Sequence, residues 1–214
     1  MDRRLRQLPI RAYSALPFLP SERRYNLTVS SDRKFIWFRV AKVGTRTILN
    51  ALKSANVPLD LEEESRLHYF PKLRRDYFKF AFVRNPWDRL VSGWMNKVVD
   101  RNFFGFDETE LKRMREFPNF VDYVADLDMA KCDRHLAPQS SLIDLNNVNF
   151  VGRMENFDAD FGVVLDRIGV NLDKVDRKNV SEARKSYRDY YTDETAQKAH
   201  DIYARDVSIF GYEF

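Results

Sequence analysis

Two short stretches of the chain hold residue types that can grip an anion and move charge. The first is Ala41-Lys42-Val43-Gly44-Thr45-Arg46-Thr47, a glycine-containing loop that leads from an apolar run into a helical pattern. Such a loop offers backbone N–H groups at the positive end of a helix dipole, a cradle for phosphate oxygens. Lys42 adds a point charge to it. The loop is shorter than G-x-x-x-x-G-K-[ST], so it does not announce a nucleoside triphosphate with magnesium. Its plain alternative is an ordinary turn with a surface lysine. The second stretch is Arg84-Asn85-Pro86-Trp87-Asp88-Arg89-Leu90-Val91-Ser92. Arg84 closes a strand pattern at the end where open α/β sheets bind ligands, and Ser92 falls about two turns into the helix that follows. A guanidinium and a hydroxyl converging on one phosphate would hold it by charge-assisted hydrogen bonds.

The elements that must position these residues follow from periodicity. Phe35–Val40 and Tyr77–Val83 are β-branched and aromatic runs that predict buried strands, with a shorter third at Val148–Val151. Ile48, Leu49, Leu52 and Ala55 put one apolar face on a helix after the first strand. Leu90, Val91, Trp94 and Val98 do so after the second, which Asn85 caps with Pro86 behind it. This spacing assigns Trp87 and Trp94 to the core. Further helices are predicted from Pro118, across Phe161–Ile168 with Gly169 as the stop, and after the cap Thr192. Strands alternating with helices predict an α/β sandwich of three layers around a mainly parallel sheet, built as one domain over 1–214 with a basic N-terminal arm over 1–24.

Composition narrows the function classes. Lys and Arg exceed Asp and Glu by 36 to 32, a net charge of +4 that suits an anionic ligand without demanding one. Cys132 is the only cysteine, which excludes an intramolecular disulfide and a four-thiolate metal site and fits a reducing, cytoplasmic compartment. The histidines, His68, His135 and His200, are too dispersed to signal a metal centre. No apolar run approaches the ~20 residues that cross a bilayer, so no membrane span is expected.

The two motifs together resemble the PAPS-dependent sulfotransferases, in the branch of Golgi carbohydrate sulfotransferases and their soluble bacterial relatives. PAPS is 3′-phosphoadenosine-5′-phosphosulfate. In that family a P-K-x-G-x-T-like loop binds the 5′-phosphosulfate, matched here by Lys42, Gly44, Thr45 and Thr47, with Ala41 where proline is usual and Arg46 where a small residue is common. An R-x-P-x-x-R-x-x-S stretch binds the 3′-phosphate, matched by Arg84, Pro86, Arg89 and Ser92. Asp133-Arg134-His135-Leu136-Ala137-Pro138-Gln139 looks like the family's D-x-H-x-x-P-Q segment, Val151-Gly152-Arg153-Met154-Glu155 like its V-G-R-x-E turn, and Phe210-Gly211-Tyr212 like its F-G-Y tail.

The resemblance implies a P-loop nucleotide-hydrolase-like fold, PAPS as donor with adenosine 3′,5′-bisphosphate as product, no metal, and a hydroxyl acceptor on a glycan. It implies that Lys42 neutralises the leaving phosphate, helped by Gly44, Thr45, Arg46 and Thr47, while Arg84 and Ser92 hold the 3′-phosphate. The general base is His68 by placement, His135 by motif, or a carboxylate such as Glu64. Arg177 and Lys178 fall in a stretch similar to the loop that closes over the nucleotide. No nucleic-acid partner is expected. Two other classes remain open at this level: a nucleotide-dependent phosphotransferase on a similar fold, and a non-catalytic module that binds polyanions.

Overall fold

The computed structural model describes residues 24–68, 74–172 and 185–214. Within them the chain forms two compact units, one of residues 24–40, 44–83 and 141–172, the other of 41–43, 84–140 and 185–214.

The first unit is built on a five-stranded sheet. Its strands are β1 (Arg24–Ser30), β2 (Phe35–Phe38), β3 (Leu61–His68), β4 (Phe78–Val83) and β5 (Phe150–Arg153), in the order β3-β1-β2-β4-β5. β2, β4 and β5 are parallel neighbours, with Phe38 level with Ala81 and Val83 level with Arg153. These are the strands the apolar runs predict, the third displaced by two residues.

β1 and β3 were not foreseen, and they make the sheet mixed. β1 is antiparallel to both neighbours. Only residues 31–34 join it to β2, with Lys34 at φ 49°, and so short a link permits a hairpin but no crossover. The acid-rich sequence of β3 suits its place at the sheet edge.

Two helices complete this unit, α1 (Thr45–Ser54) and α5 (Phe157–Arg167), the latter ending at Gly169 with φ 63°. Phe35, Trp37, Phe80 and Phe82 are fully buried, and the Trp37 and Phe80 rings lie parallel with centroids 5.9 Å apart. Gly152 is dictated by this aromatic layer, because a Cβ there would come within 2.5 Å of the Phe82 ring.

The second unit is helical: α2 (Pro86–Trp94), α3 (Glu108–Met114), α4 (Phe117–Ala125), α6 (Asp193–Ile202) and α7 (Ala204–Phe210). The Asn85 side chain accepts from the N–H groups of Trp87 and Asp88, the cap its sequence position predicts. Trp87 and Trp94 are buried, and their indole N–H groups donate to the carbonyls of Ala196 and Met114 at 2.9 and 2.8 Å. α2 does not end as an α-helix. It widens into a π turn over Met95–Val99, closed by Asp100 N–H donating to Met95 at 2.8 Å, and Val98 stays buried. The final helix breaks in two at Tyr203, whose buried ring is tied through its hydroxyl to the Leu136 carbonyl at 2.8 Å. Among the described residues no helix is long and apolar enough to cross a membrane.

Candidate active site

The glycine-containing loop owes its shape to two left-handed residues, Lys42 at φ 70° and Gly44 at φ 71°. Gly44 is the N-cap of α1, and no side chain caps the first turn, so its N–H groups remain turned outward beneath the positive end of the helix. Glycine is needed there twice over. The backbone is left-handed, and a Cβ would come within 2.8 Å of the Met154 methyl. Lys42 pays the steric cost of a left-handed residue with a Cβ, a form of strain that collects at functional sites. Thr45 donates its hydroxyl proton to the Val40 carbonyl at 3.1 Å, so what it can give an anion is its backbone N–H. Thr47 is half-buried in the same turn, and Arg46 is exposed.

At the other motif the guanidinium of Arg84 pairs with Asp88, Nε to Oδ2 at 2.6 Å, on a half-buried surface. Its backbone is bracketed by one side-chain amide: the Arg84 N–H donates to Gln139 Oε1 at 3.0 Å, and Gln139 Nε2 donates to the Arg84 carbonyl at 2.8 Å. Gln139 is held in turn, because its own N–H and that of Ser140 donate to the buried Asp206 carboxylate at 2.6 and 2.9 Å. The Pro-Gln end of the third motif is therefore a brace for Arg84. Ser92 lies half-buried in α2.

Arg89, the second arginine of the motif, turns inward. It is 1% exposed, and each side of its guanidinium donates to a backbone carbonyl: Nε to Ala41 at 3.0 Å, Nη1 to Ala137 at 2.9 Å and Nη2 to Arg134 at 3.1 Å. Burial pushes its pKa down from the ordinary arginine value. One side chain thus clamps the residue before Lys42 and the residues flanking His135 onto α2.

His135 is one of the proposed bases, and its side chain is only 12% exposed. Its Nδ1 lies 2.5 Å from Asp133 Oδ1, which also accepts the His135 backbone N–H at 2.9 Å. Nδ1–H donating to the carboxylate leaves Nε2 as an acceptor, the tautomer this network selects. Burial is the main cause that lowers its pKa from 6.5 to about 4, against the pull of Asp133 and with help from Lys97 and Arg134. The ring is therefore neutral at pH 7.

A stability test follows. The unfolded chain takes up this proton near pH 6.5 and the folded chain only near pH 4, so the contribution of the neutral ring is whole above pH 6.5 and is lost as pH falls through that window. Denaturant unfolding at pH 7 and pH 5 should show lower stability at pH 5, and His135→Gln should reduce the difference. An unchanged difference in the variant would assign the acid sensitivity to other groups.

His68 ends β3, paired with Arg24, on an edge strand that runs in the direction of β2 and is separated from it by β1. Glu64 lies on the same strand. His200 is half-buried in α6, beside Asp201 and the Trp87 ring. Arg177 and Lys178 lie outside the described residues. The sequence reading gave no role to Gln139, Asp206 or Asp133. Asp133 and Gln139 left a signal, as members of the D-x-H-x-x-P-Q match.

Among the described residues no group of three or more His, Cys, Asp or Glu is placed to hold a metal ion. The model of the Sulfotransferase family matches residues 25–213. Carbohydrate sulfotransferase 14 of Homo sapiens is 30% identical over 154 residues, covering 61% of this chain and 40% of that protein. Its Danio rerio counterpart is 23% identical over 247 residues, covering 97% and 67%. Carbohydrate sulfotransferase 8 of Homo sapiens is 30% identical over 166 residues, covering 64% and 39%. The chain thus spans about two fifths of the length of the human relatives. No solved structure matches the chain significantly.

Proposed function

The chain belongs to the sulfotransferase family, and from that premise we propose that it moves a sulfuryl group from PAPS to a hydroxyl of a carbohydrate acceptor, on a P-loop nucleotide-hydrolase-like fold. The observation that carries the reading is the Arg89 clamp, which fastens the residue before Lys42 and the residues on either side of His135 to the helix that Arg84 leads into. The family model runs through both compact units, which supports reading them as one sulfotransferase domain. The single cysteine suits a reducing, cytoplasmic setting.

The residues fit an anionic nucleotide. The uncapped first turn of α1 and the glycine pressed against Met154 make a cradle that a larger residue would fill. Lys42, Gly44, Thr45 and Thr47 hold the 5′-phosphosulfate, and Arg84 and Ser92 the 3′-phosphate, with Arg46, Arg177 and Lys178 as further contacts. When bound, PAPS supplies a sulfuryl group on a phosphate leaving group. Lys42 neutralises the charge that develops on the leaving oxygen. His135 takes the acceptor's hydroxyl proton at Nε2, and Asp133 stabilises the imidazolium that results. A pKa of about 4 makes the resting imidazole a weak base, so this partnership matters. His68 is the second candidate, favoured by its place at the end of β3.

Adenosine 3′,5′-bisphosphate should raise the melting temperature more than AMP, which lacks the 3′-phosphate. Arg84→Ala should weaken its binding by ~1.5–3 kcal/mol, the scale of a charge-assisted contact, with little change in folding. Equal shifts from the two nucleotides would remove Arg84 and Ser92 from the site.

A further inference from the structure

In the second unit the segment 134–140 is gripped by opposite charges from two sides. Arg89, in α2, donates to the carbonyls of Arg134 and Ala137, and the Tyr203 hydroxyl donates to that of Leu136. Asp206, in the first turn of α7, takes the N–H groups: Gln139 donates to Oδ2 at 2.6 Å and Ser140 to Oδ1 at 2.9 Å. Asp206 is fully buried, and among the described residues these two N–H groups are its only hydrogen-bond donors. Burial lowers the Arg89 pKa, while Tyr203 and Asp206 oppose that fall, so cation and carboxylate stand within each other's field. A buried carboxylate with no cation bonded to it is costly, and its charge has to be answered by what it holds.

What Asp206 holds is Gln139, and what Gln139 holds is Arg84. The buried Gln139 amide accepts from the Arg84 N–H at 3.0 Å and donates to the Arg84 carbonyl at 2.8 Å, one bond on each side of the Arg84 Cα. Two bonds that straddle one Cα fix both flanking peptide planes, and with them the direction in which the side chain leaves the backbone. Asp88 steadies the far end of that side chain. An amide in place of the Asp206 carboxylate would offer one oxygen and turn an NH2 toward the second donor, so a carboxylate alone satisfies both N–H groups.

We propose that Asp206 is a positioning residue for the 3′-phosphate: acting through Gln139, it sets the line along which the Arg84 guanidinium approaches, and so the site's preference for a nucleotide phosphorylated at the 3′ position. This rests on the sulfotransferase reading and deepens it. The 3′ selectivity is assigned to a carboxylate with no exposed surface, which cannot meet the ligand itself.

The test is the ratio of the dissociation constants of AMP and adenosine 3′,5′-bisphosphate, measured by calorimetric titration of the full chain. A merely structural role would weaken both nucleotides alike and leave the ratio in place. Asp206→Asn and Gln139→Met should each lower it ~10-fold or more, the size of one hydrogen bond to a charged group, while AMP binding stays within ~3-fold. Asp206→Glu should keep part of the preference. In an Arg84→Ala background Asp206→Asn should lower the ratio no further, because both changes act on one contact. A second measurement uses the wild-type chain and so does not depend on how a variant folds. A ligand that relies on the Asp206 line must in turn steady it. Saturating adenosine 3′,5′-bisphosphate should therefore slow hydrogen exchange at the Gln139 and Ser140 amides ~10-fold more than saturating AMP does, beyond any change at the amides of β2. Equal losses for the two nucleotides in the variants, or equal protection by them in the wild type, would overturn the proposal. A wild-type chain that binds adenosine 3′,5′-bisphosphate no better than AMP, or not at all, would instead defeat the sulfotransferase reading beneath it.

Discussion

Arg89→Ala is expected to destabilise the fold by about 3–9 kcal/mol, because it strands three carbonyls that the guanidinium now satisfies, at roughly 1–3 kcal/mol each. The donors run to Ala41, Ala137 and Arg134, and the side chain is buried, so water cannot simply take their place. Arg89→Lys should recover little, since one ammonium cannot reach three carbonyls fixed in a planar fan. Arg84→Ala should cost far less stability, because its side-chain partner Asp88 lies on a half-buried surface. Denaturant titration of the two variants separates the roles. Comparable losses would mean that the motif's arginines share one duty.

Lys42→Gly is expected to split activity from stability. Glycine tolerates the left-handed backbone that Lys42 adopts at φ 70°, so the variant should unfold no more easily than the parent and could gain ~0.5–1 kcal/mol from relief of strain. Its kcat should nevertheless fall ~100-fold or more, the loss typical of a preorganised charge at a developing anion, while adenosine 3′,5′-bisphosphate binding falls much less. Lys42→Arg should rescue poorly in so tight a loop. Single-turnover transfer measured beside equilibrium titration decides the matter. Near-normal turnover in Lys42→Gly would remove Lys42 from the chemistry and leave the exposed Arg46 as the loop's cation.

What the sequence revealed and what it hid divide along a physical line. β2, β4, α1 and α2 were legible because a buried strand needs an unbroken apolar run, and a helix on a core needs its stripe and its cap. β1 and β3 were not, since Arg24-Tyr25-Asn26-Leu27 mixes polar and apolar residues and Leu61–His68 is rich in acids, and only their pairing in the sheet makes strands of them. In the site, the positions of Lys42 and Arg84 at strand ends could be read, because that is a matter of order along the chain. The duties of Arg89 and Gln139 could not. An arginine looks alike in sequence whether it meets a phosphate or three buried carbonyls. The π turn was hidden for a related reason: the stripe Leu90, Val91, Trp94, Val98 reads as continuous α-helix, and nothing in those spacings announces the wider turn.

That turn also sets how the chain tolerates a change of length at this point. A π turn accommodates one residue more than the α-helix it interrupts. Removing a single residue there would let the segment wind as ordinary α-helix with the chain on either side nearly in place, whereas a one-residue deletion in the α-helical part of α2 would turn everything after it by about 100°. Val98 would leave the core in the second case. A change of length that the π turn can absorb is one the rest of α2 cannot.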